Sequence, residues 1–264
     1  MKNPYQPKTA IIRKIQPQAS EIKLFTLEFK NQKDRLEFIP GQFIEIGIPN
    51  FGEAPFAVCS RPGDIEWQIC VRQAGSLTTK LHTLKVGDMV TLRGPYGNGF
   101  PQIKDKNLLL IGGGLGLIPL RPLILASGEK NQKIQVFYGA RHTKDLIFKN
   151  EYKLWEKSVD LYLTLDKECP GWKGHIGLIT TLFDDTKIIE NAVAILCGPP
   201  VMYKFVLEKL KEANFADSDI FLSLERRMHC GIGVCQHCTI GSKYVCKDGP
   251  IFRYDEIKNL PEAI

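Results

Sequence analysis

The sequence predicts a small β-barrel, then a doubly wound α/β domain built on a parallel sheet, then a short cysteine-rich segment. Three observations carry that prediction. Short runs of alternating apolar and polar residues fill positions 8 to about 100. Buried-type strands then alternate with helical segments, and four of the eight cysteines fall within residues 228–246. The expected boundaries are 1–101, 102–225 and 226–264.

The barrel strands are expected in "TAIIRKIQ", "IKLFTLEF", "QFIEIGIP", "FAVCSRP", "EWQICVRQ" and "MVTLRGP", separated by the turn signals "IPGQ", "RPGD" and "KVGD". Six short strands at this spacing, with almost no helical period, argue a barrel or sandwich. Two segments offer more than packing. "APFAVCS" (54–60) is a strand whose backbone suits pairing with a flat heterocycle. "VRQAGSLTT" (71–79) supplies Arg72, Gly75 and the hydroxyls of Ser76, Thr78 and Thr79, groups that suit a pyrophosphate, although an ordinary exposed hairpin carries the same residues.

From "PQIKDKNLLLIGGG" onward the strands "NLLLIG", "IQVFYGA", "DLYLTLD", "AVAILCG" and "DIFLSLE" alternate with helical stretches, the pattern of a parallel sheet. The clearest helix is Pro200 to Asn214, with proline at its start and Met202, Phe205, Val206, Leu207 and Leu210 as its buried face. Gly112, Gly113, Gly114 and Gly116 stand between a strand and a helix, where bare backbone and a helix N-terminus receive a pyrophosphate. A glycine turn without a ligand is the competing reading. "CGPPVM" (197–202) closes the fourth strand of this sheet, at the end where ligands gather in open α/β sheets. A buried cysteine ahead of a helix start explains that run equally well by itself.

Composition excludes several classes. With 44% hydrophobic and 24% charged residues among 264, the chain is globular and long enough to bury a core without disulfides. The formal charge of +6 is dispersed among acids, with no basic, aromatic-interleaved patch for nucleic acid. The longest apolar run, "NLLLIGGGLGLIPLRPLILA", is broken by glycines, prolines and Arg121, so no membrane span is expected. "MKNPYQPKTAIIRK" lacks the apolar core of a secretory leader, which leads to the expectation of a cytosolic protein. In a reducing cytosol, close-set cysteines read as metal ligands.

Those cysteines are Cys230, Cys235, Cys238 and Cys246, in "MHCGIGVCQHCTIGSKYVC". A structural zinc site usually pairs two C-x2-C knuckles, whereas C-x4-C-x2-C followed by a fourth cysteine is the order of plant-type ferredoxins. His229 and His237 flank the thiols and are expected to be exposed neighbours. Gly231 and Gly233 free the backbone to point N–H groups inward.

Taken together, the barrel, G-G-x-G-x-x-P, C-G-P-P-x-M and "GPYGNGF" (94–100) resemble the ferredoxin–NADP reductase superfamily. The closing "CGIGVCQHCTIGSKYVCKDGPIF" is similar to the FAD and [2Fe-2S] subunits of cytosolic sulfhydrogenases and anaerobic sulfite reductases, with the electron-transfer subunit of dihydroorotate dehydrogenase as a more distant relative. The resemblance implies FAD along Pro55, Phe56, Ala57 and Val58, around Val71 and Arg72, and at Gly75, Thr78 and Thr79. It implies NAD(P)H over Gly112 to Gly116, with Cys197, Gly198 and Pro199 near the nicotinamide and Cys197 as the catalytic candidate. Asp166, at the third strand's end, favours NADH; Arg141 and Lys167 favour the 2′-phosphate of NADPH, toward which the sequence leans. Ala54 and Pro55 stand where many relatives carry an arginine, leaving Arg72 or Arg61 for phosphate contact. The implied function is a diaphorase subunit passing electrons from NAD(P)H through FAD and [2Fe-2S] to a hydrogenase or a sulfur or sulfite reductase partner. The rival is a redox sensor or zinc-stabilised regulatory protein on the same fold.

Overall fold

The computed structural model describes residues 3, 5–127, 132–261 and 263. Its first unit has the strands β1 (Lys8–Ala19), β2 (Ile22–Phe29), β3 (Phe43–Ile48), β4 (Gly52–Ala57) and β5 (Trp67–Arg72), then helix α1 (Ser76–Thr83) and β6 (Met89–Tyr96). The order β4-β3-β6-β1-β2-β5 is antiparallel throughout. Just past β4, a bridge between Val58 and Ile69 and a 2.8 Å bond from Cys59 N–H to the Gln68 carbonyl join the two outer strands and close the barrel. Period-2 alternation sends Ile12, Phe25, Leu27, Ile44, Ile46, Trp67 and Ile69 inward, where Leu77 and Leu81 of α1 join them. Burying each Phe- or Ile-sized side chain stabilises by about 1.5–3 kcal/mol.

Six strands occur where six were expected, with two differences. The fourth begins at Gly52, before "FAVCSRP", because Asn50 and Gly52 take positive φ (68° and 88°) and turn the chain tightly out of β3. Helix α1 was not anticipated.

The second unit runs β7 (Asn107–Gly113), a tight turn (Gly114–Gly116), α2 (Leu117–Leu125), β8 (Ile134–Ala140), α3 (Tyr152–Trp155), β9 (Asp160–Leu165) and β10 (His175–Ile176). It continues with α4 (Leu182–Asp185), β11 (Ala192–Cys197), α5 (Pro200–Glu212) and β12 (Ile220–Ser223). Strands β10-β9-β8-β7-β11-β12 form a parallel sheet, so the winding reverses between β7 and β11 and opens a crevice at their C-terminal ends. Helix α5 starts at Pro200 as expected and buries Met202, Tyr203, Val206 and Leu210, whereas Phe205 is exposed.

The remaining chain carries β13 (Thr239–Ile240), β14 (Lys243–Tyr244), α6 (Val245–Asp248), β15 (Ile251–Arg253) and α7 (Tyr254–Ile257). Strand β15 pairs antiparallel with β12, so this segment extends the nucleotide-type sheet. Asn98, in the "GPYGNGF" run, fastens the same segment to the barrel. Its amide nitrogen donates to the Ile251 and Asp248 carbonyls at 2.7 and 3.1 Å. Its amide oxygen accepts from Ile251 N–H at 3.2 Å.

Candidate functional site

The two motifs of the second unit meet at the crevice. Cys197 pairs in register with Gly112, and the turn Gly114–Gly116 presses on the chain leaving β11. A Cβ on Gly116 would collide with the Cys197 carbonyl and lie 2.7 Å from Gly198 N. The Met202 sulfur fills the floor between the turns, against both Gly113 and Gly198. Gly114, at φ +55°, faces open space, as a backbone cradle for an incoming group requires. The Cys197 side chain itself is buried, and burial pushes its thiol well above the ordinary range. Its position is therefore that of a neutral thiol beneath the crevice. Pro199 caps α5. Tyr203, which sequence reasoning did not single out, donates to the Ser223 carbonyl and accepts from Gly198 N–H at 3.4 Å, bracing the ends of β11 and β12.

Arg141 and Lys167 sit beyond the ends of β8 and β9, close enough to act on exposed Asp166. Partial desolvation at the strand end raises the Asp166 carboxyl, and the charges of Arg141, His142 and Lys167 pull against it. The three residues singled out as adenosine-ribose determinants and their neighbour His142 thus form one group.

In the barrel, Pro55, Phe56 and Ala57 are half-buried on β4 and Val58 is fully buried at the closure. Ser60 Oγ, buried just beyond, has no hydrogen-bond partner among the described residues. Val71 is core and Arg72 is exposed at the end of β5. Gly75 is the N-cap of α1, so "VRQAGSLTT" is a strand end feeding a helix rather than a loose hairpin. The Thr78 hydroxyl accepts from the N–H groups of Ala74 (2.8 Å) and Gly75 (2.9 Å), holding the turn. Thr79 Oγ1 accepts from the Gln73 amide at 3.4 Å. The first turn of α1, beside Arg72, has the backbone N–H groups and dipole end that suit an anion.

The cysteine segment gathers its thiols under a hood of backbone. Cys230 Sγ accepts from the N–H groups of Val234 (3.3 Å), Ile232 and Cys235 (3.5 Å each). Gly233 N–H donates to Cys246 Sγ at 3.0 Å, and Cys246 N–H to Cys238 Sγ at 3.4 Å. Left-handed Gly231 (φ 75°) and Gly233 (φ 79°) turn those N–H groups inward. The loop that wraps Cys230 thus also donates to Cys246, and Cys246 is tied in turn to Cys238. Burial works against ionisation of Cys230, but three N–H bonds outweigh it and its thiol lies below the ordinary value. Backbone bonding, led by His237 N–H, lowers Cys235 as well. Burial, reinforced by Cys238, pushes Cys246 up to about 12. Thiols held beneath backbone N–H donors fit an iron–sulfur centre, whose potential such bonds tune. His229 and His237 lie edge to face at 4.3 Å beside this loop.

Beneath the loop lies a charge network that sequence reasoning missed. Alternation along "QFIEIGI" turns Glu45 away from the barrel core, but that face is covered by the cysteine segment and Glu45 is only 1% exposed. Burial pushes its carboxyl up to about 7, against the pull of Arg93. Arg93, paired across from it on β6, donates to Glu53 from Nε (3.0 Å) and Nη2 (2.7 Å) and to Tyr96 Oη from Nη1 at 3.0 Å. Its Nη1 also reaches the Cys230 carbonyl at 3.3 Å, tying barrel to cysteine loop. The available signal was an acid and a base inside two otherwise apolar, adjacent strands.

Comparison with known proteins matches each unit separately. Residues 9–100 match an oxidoreductase FAD-binding domain and residues 110–208 an oxidoreductase NAD-binding domain. Residues 225–258 match the iron–sulfur cluster binding domain of dihydroorotate dehydrogenase B. The chain is 39% identical to the sulfhydrogenase 2 subunit gamma of Pyrococcus furiosus, over 96% of each chain. It is 34% identical to a probable dihydroorotate dehydrogenase B (NAD(+)) electron transfer subunit of Thermococcus kodakarensis, over 92% of this chain and 94% of that one. Among solved structures it is similar to an NADH-dependent reduced ferredoxin-NADP oxidoreductase studied for flavin-based electron bifurcation, with TM-score 0.79 and 30% identity over 94% of this chain and 91% of that chain. The chain therefore belongs to the family of FAD- and NAD-binding oxidoreductase subunits with an iron–sulfur segment that includes sulfhydrogenase gamma subunits and dihydroorotate dehydrogenase B electron-transfer subunits.

Proposed function

We propose that this chain is the NAD(P)H-dependent diaphorase subunit of a larger redox complex, holding FAD and a [2Fe-2S] cluster and serving a partner of the hydrogenase or sulfur or sulfite reductase class. The observation that carries this reading is the set of backbone N–H donors aimed at Cys230, Cys238 and Cys246, in a segment that matches an iron–sulfur cluster binding domain. Bound flavin supplies the exchange between two-electron hydride chemistry at nicotinamide and one-electron chemistry at iron and sulfide.

The residues present fit these groups. The backbone of Pro55 to Val58 and the unpartnered Ser60 hydroxyl suit the polar edge of an isoalloxazine, and Arg72 with the first turn of α1 suits its pyrophosphate. Gly112 to Gly116 and the Cys197–Pro199 turn shape the nicotinamide crevice, with Cys197 as the group beneath the ring. Among the described residues no helix is long and apolar enough to cross a membrane, and all eight cysteines are free thiols, which supports a reducing, cytoplasmic setting.

The test is an absorption spectrum of the protein purified without air, with iron, zinc and flavin content. Flavin bands plus iron–sulfur absorption, both bleached by NAD(P)H, are expected. A colourless, zinc-containing protein overturns the reading in favour of a sensor. Co-purification with a dihydroorotate-oxidising subunit would move the chain to the other branch of its family.

A further inference from the structure

Arg121 lies in the core, on α2, five residues beyond the glycine turn. Its guanidinium crosses to the barrel, where Nη1 donates to the Cys59 carbonyl and to Gln68 Oε1 at 2.8 Å. Cys59 directly follows Val58, the end of the segment assigned to the flavin. On its other edge Glu151 grips Nε at 2.8 Å and Nη2 at 2.9 Å. The Phe148 ring covers the guanidinium at 4.8 Å. Phe148 has left-handed backbone (φ 58°), unusual for an aromatic residue, and its N–H is taken by Gln18 Oε1 of β1 at 2.9 Å. Around this contact the apolar cluster is continuous, from Ile22, Leu24 and Cys70 of the barrel to Tyr138 and Trp155 of the sheet domain.

An apolar interface is non-directional and tolerates sliding, whereas a forked, charge-assisted contact fixes distance and angle together. A buried ion pair also contributes little net stability, so its presence points to geometry. Along α2, five residues span roughly 7 Å. The contact therefore sits close to both nucleotide segments, and a shift in it changes the gap between them directly. We propose that Arg121, oriented by Glu151, is the positioning residue that sets the nicotinamide crevice against the flavin segment at hydride-transfer distance. This rests on the cofactor placement under Proposed function.

The test uses the full chain with its cofactors: Arg121→Met, Arg121→Lys and Glu151→Gln against wild type. Flavin reduction by NAD(P)H is followed without air by stopped flow, with flavin content, half-saturating nucleotide concentration and melting temperature measured alongside. Arg121→Met is expected to lower the limiting reduction rate ten- to a hundredfold, the scale on which misplaced reacting atoms cost rate. Flavin content and half-saturation should stay near wild type, and the isotope effect with 4-deuterated nucleotide should rise. Arg121→Lys should recover part of the rate, and Glu151→Gln should fall between. If Arg121→Met fails to fold, the lysine and glutamine variants carry the same test. A wild-type limiting rate and isotope effect in these variants, with only a lower melting temperature, overturns the positioning role. A wild-type protein that holds no flavin, or whose flavin neither NADH nor NADPH reduces, overturns the cofactor placement itself.

Discussion

Replacing Gly116 by alanine tests the contact on which the nucleotide crevice is built. The backbone there is ordinary right-handed (φ −61°, ψ −15°), so alanine meets no conformational penalty and the effect is purely steric. The new methyl would lie 2.7 Å from Gly198 N, and closer still to the Cys197 carbonyl, where ordinary contact starts at 3.4 Å. The Gly198 contact alone demands a retreat of about 0.7 Å, and the Cys197 carbonyl oxygen, which the methyl would meet first, demands about 1.5 Å. Overpacking of this kind costs about 1–3 kcal/mol, and collision with backbone puts this case near the top of that range. For a chain of this size that is roughly a 5–10 °C drop in melting temperature. A displacement of 1 Å or more also predicts about a hundredfold loss in kcat/KM for NAD(P)H in dye reduction. The barrel core is separate and should keep its flavin content. Gly114→Ala is the control: its methyl meets nothing within 4 Å, and only its φ of +55° costs stability, about 1–2 kcal/mol. It should melt within a few degrees of wild type yet raise KM, because its methyl points into the space a ligand uses. A Gly116→Ala protein with wild-type melting and kinetics would refute the close packing of the two turns.

Cys238→Ser or Cys246→Ser exchanges a thiolate for a ligand iron binds far more weakly, so iron content should fall while flavin-dependent dye reduction persists and delivery to the protein partner stops; parallel survival of both activities would show that electrons leave without the cluster. Cys197→Ala should slow flavin reduction about tenfold with flavin and iron content intact, and an unchanged stopped-flow rate would return this thiol to a packing role. Arg93→Met leaves Glu45 and Glu53 facing each other without their cation and should destabilise by about 1–3 kcal/mol in denaturant unfolding, with Glu53→Gln in the same chain restoring part of the loss. Steady-state dye reduction should favour NADPH over NADH and lose that preference in Arg141→Ala or Lys167→Ala; a strong NADH preference untouched by either change would assign the ribose contact to Asp166.

The strands were legible because burial on one or two faces writes itself as period-2 or continuous apolar runs, and β2, β5, β7, β8 and β11 follow their expected stretches closely. Helix α1 was not, since "SLTTKLHT" offers only Leu77 and Leu81 to the core and β-branched threonines weaken its helical signature. Glu45 misled for a different reason: alternation tells which side of a strand a residue takes, not what later covers that side. Arg121 entered the sequence argument only as a charge that disqualifies a membrane span, because its partners lie 30 to 62 residues away along the chain. Strand β15 is three residues long and edge-paired, too short for any period to show. The glycine and cysteine motifs were readable because backbone approach and sulfur ligation demand particular residue types at fixed spacing.

Asn98 and β15 together say something about the order in which the protein becomes complete. The cysteine segment has no core of its own: Cys238, Ile240, Val245 and Cys246 pack with Leu196, Met202 and Leu222 of the sheet domain and Phe43 of the barrel. It follows both units along the chain, hangs from one by a side-chain amide and joins the other as an extra strand. Its thiols can be brought together only on surfaces that earlier parts of the polypeptide have already built, in keeping with domains folding in turn during synthesis. Metal loading is thereby made conditional on finished tertiary structure. A nascent or damaged chain whose two domains have not docked offers iron no organised site, and colour in the purified protein becomes an index of how many molecules have matured.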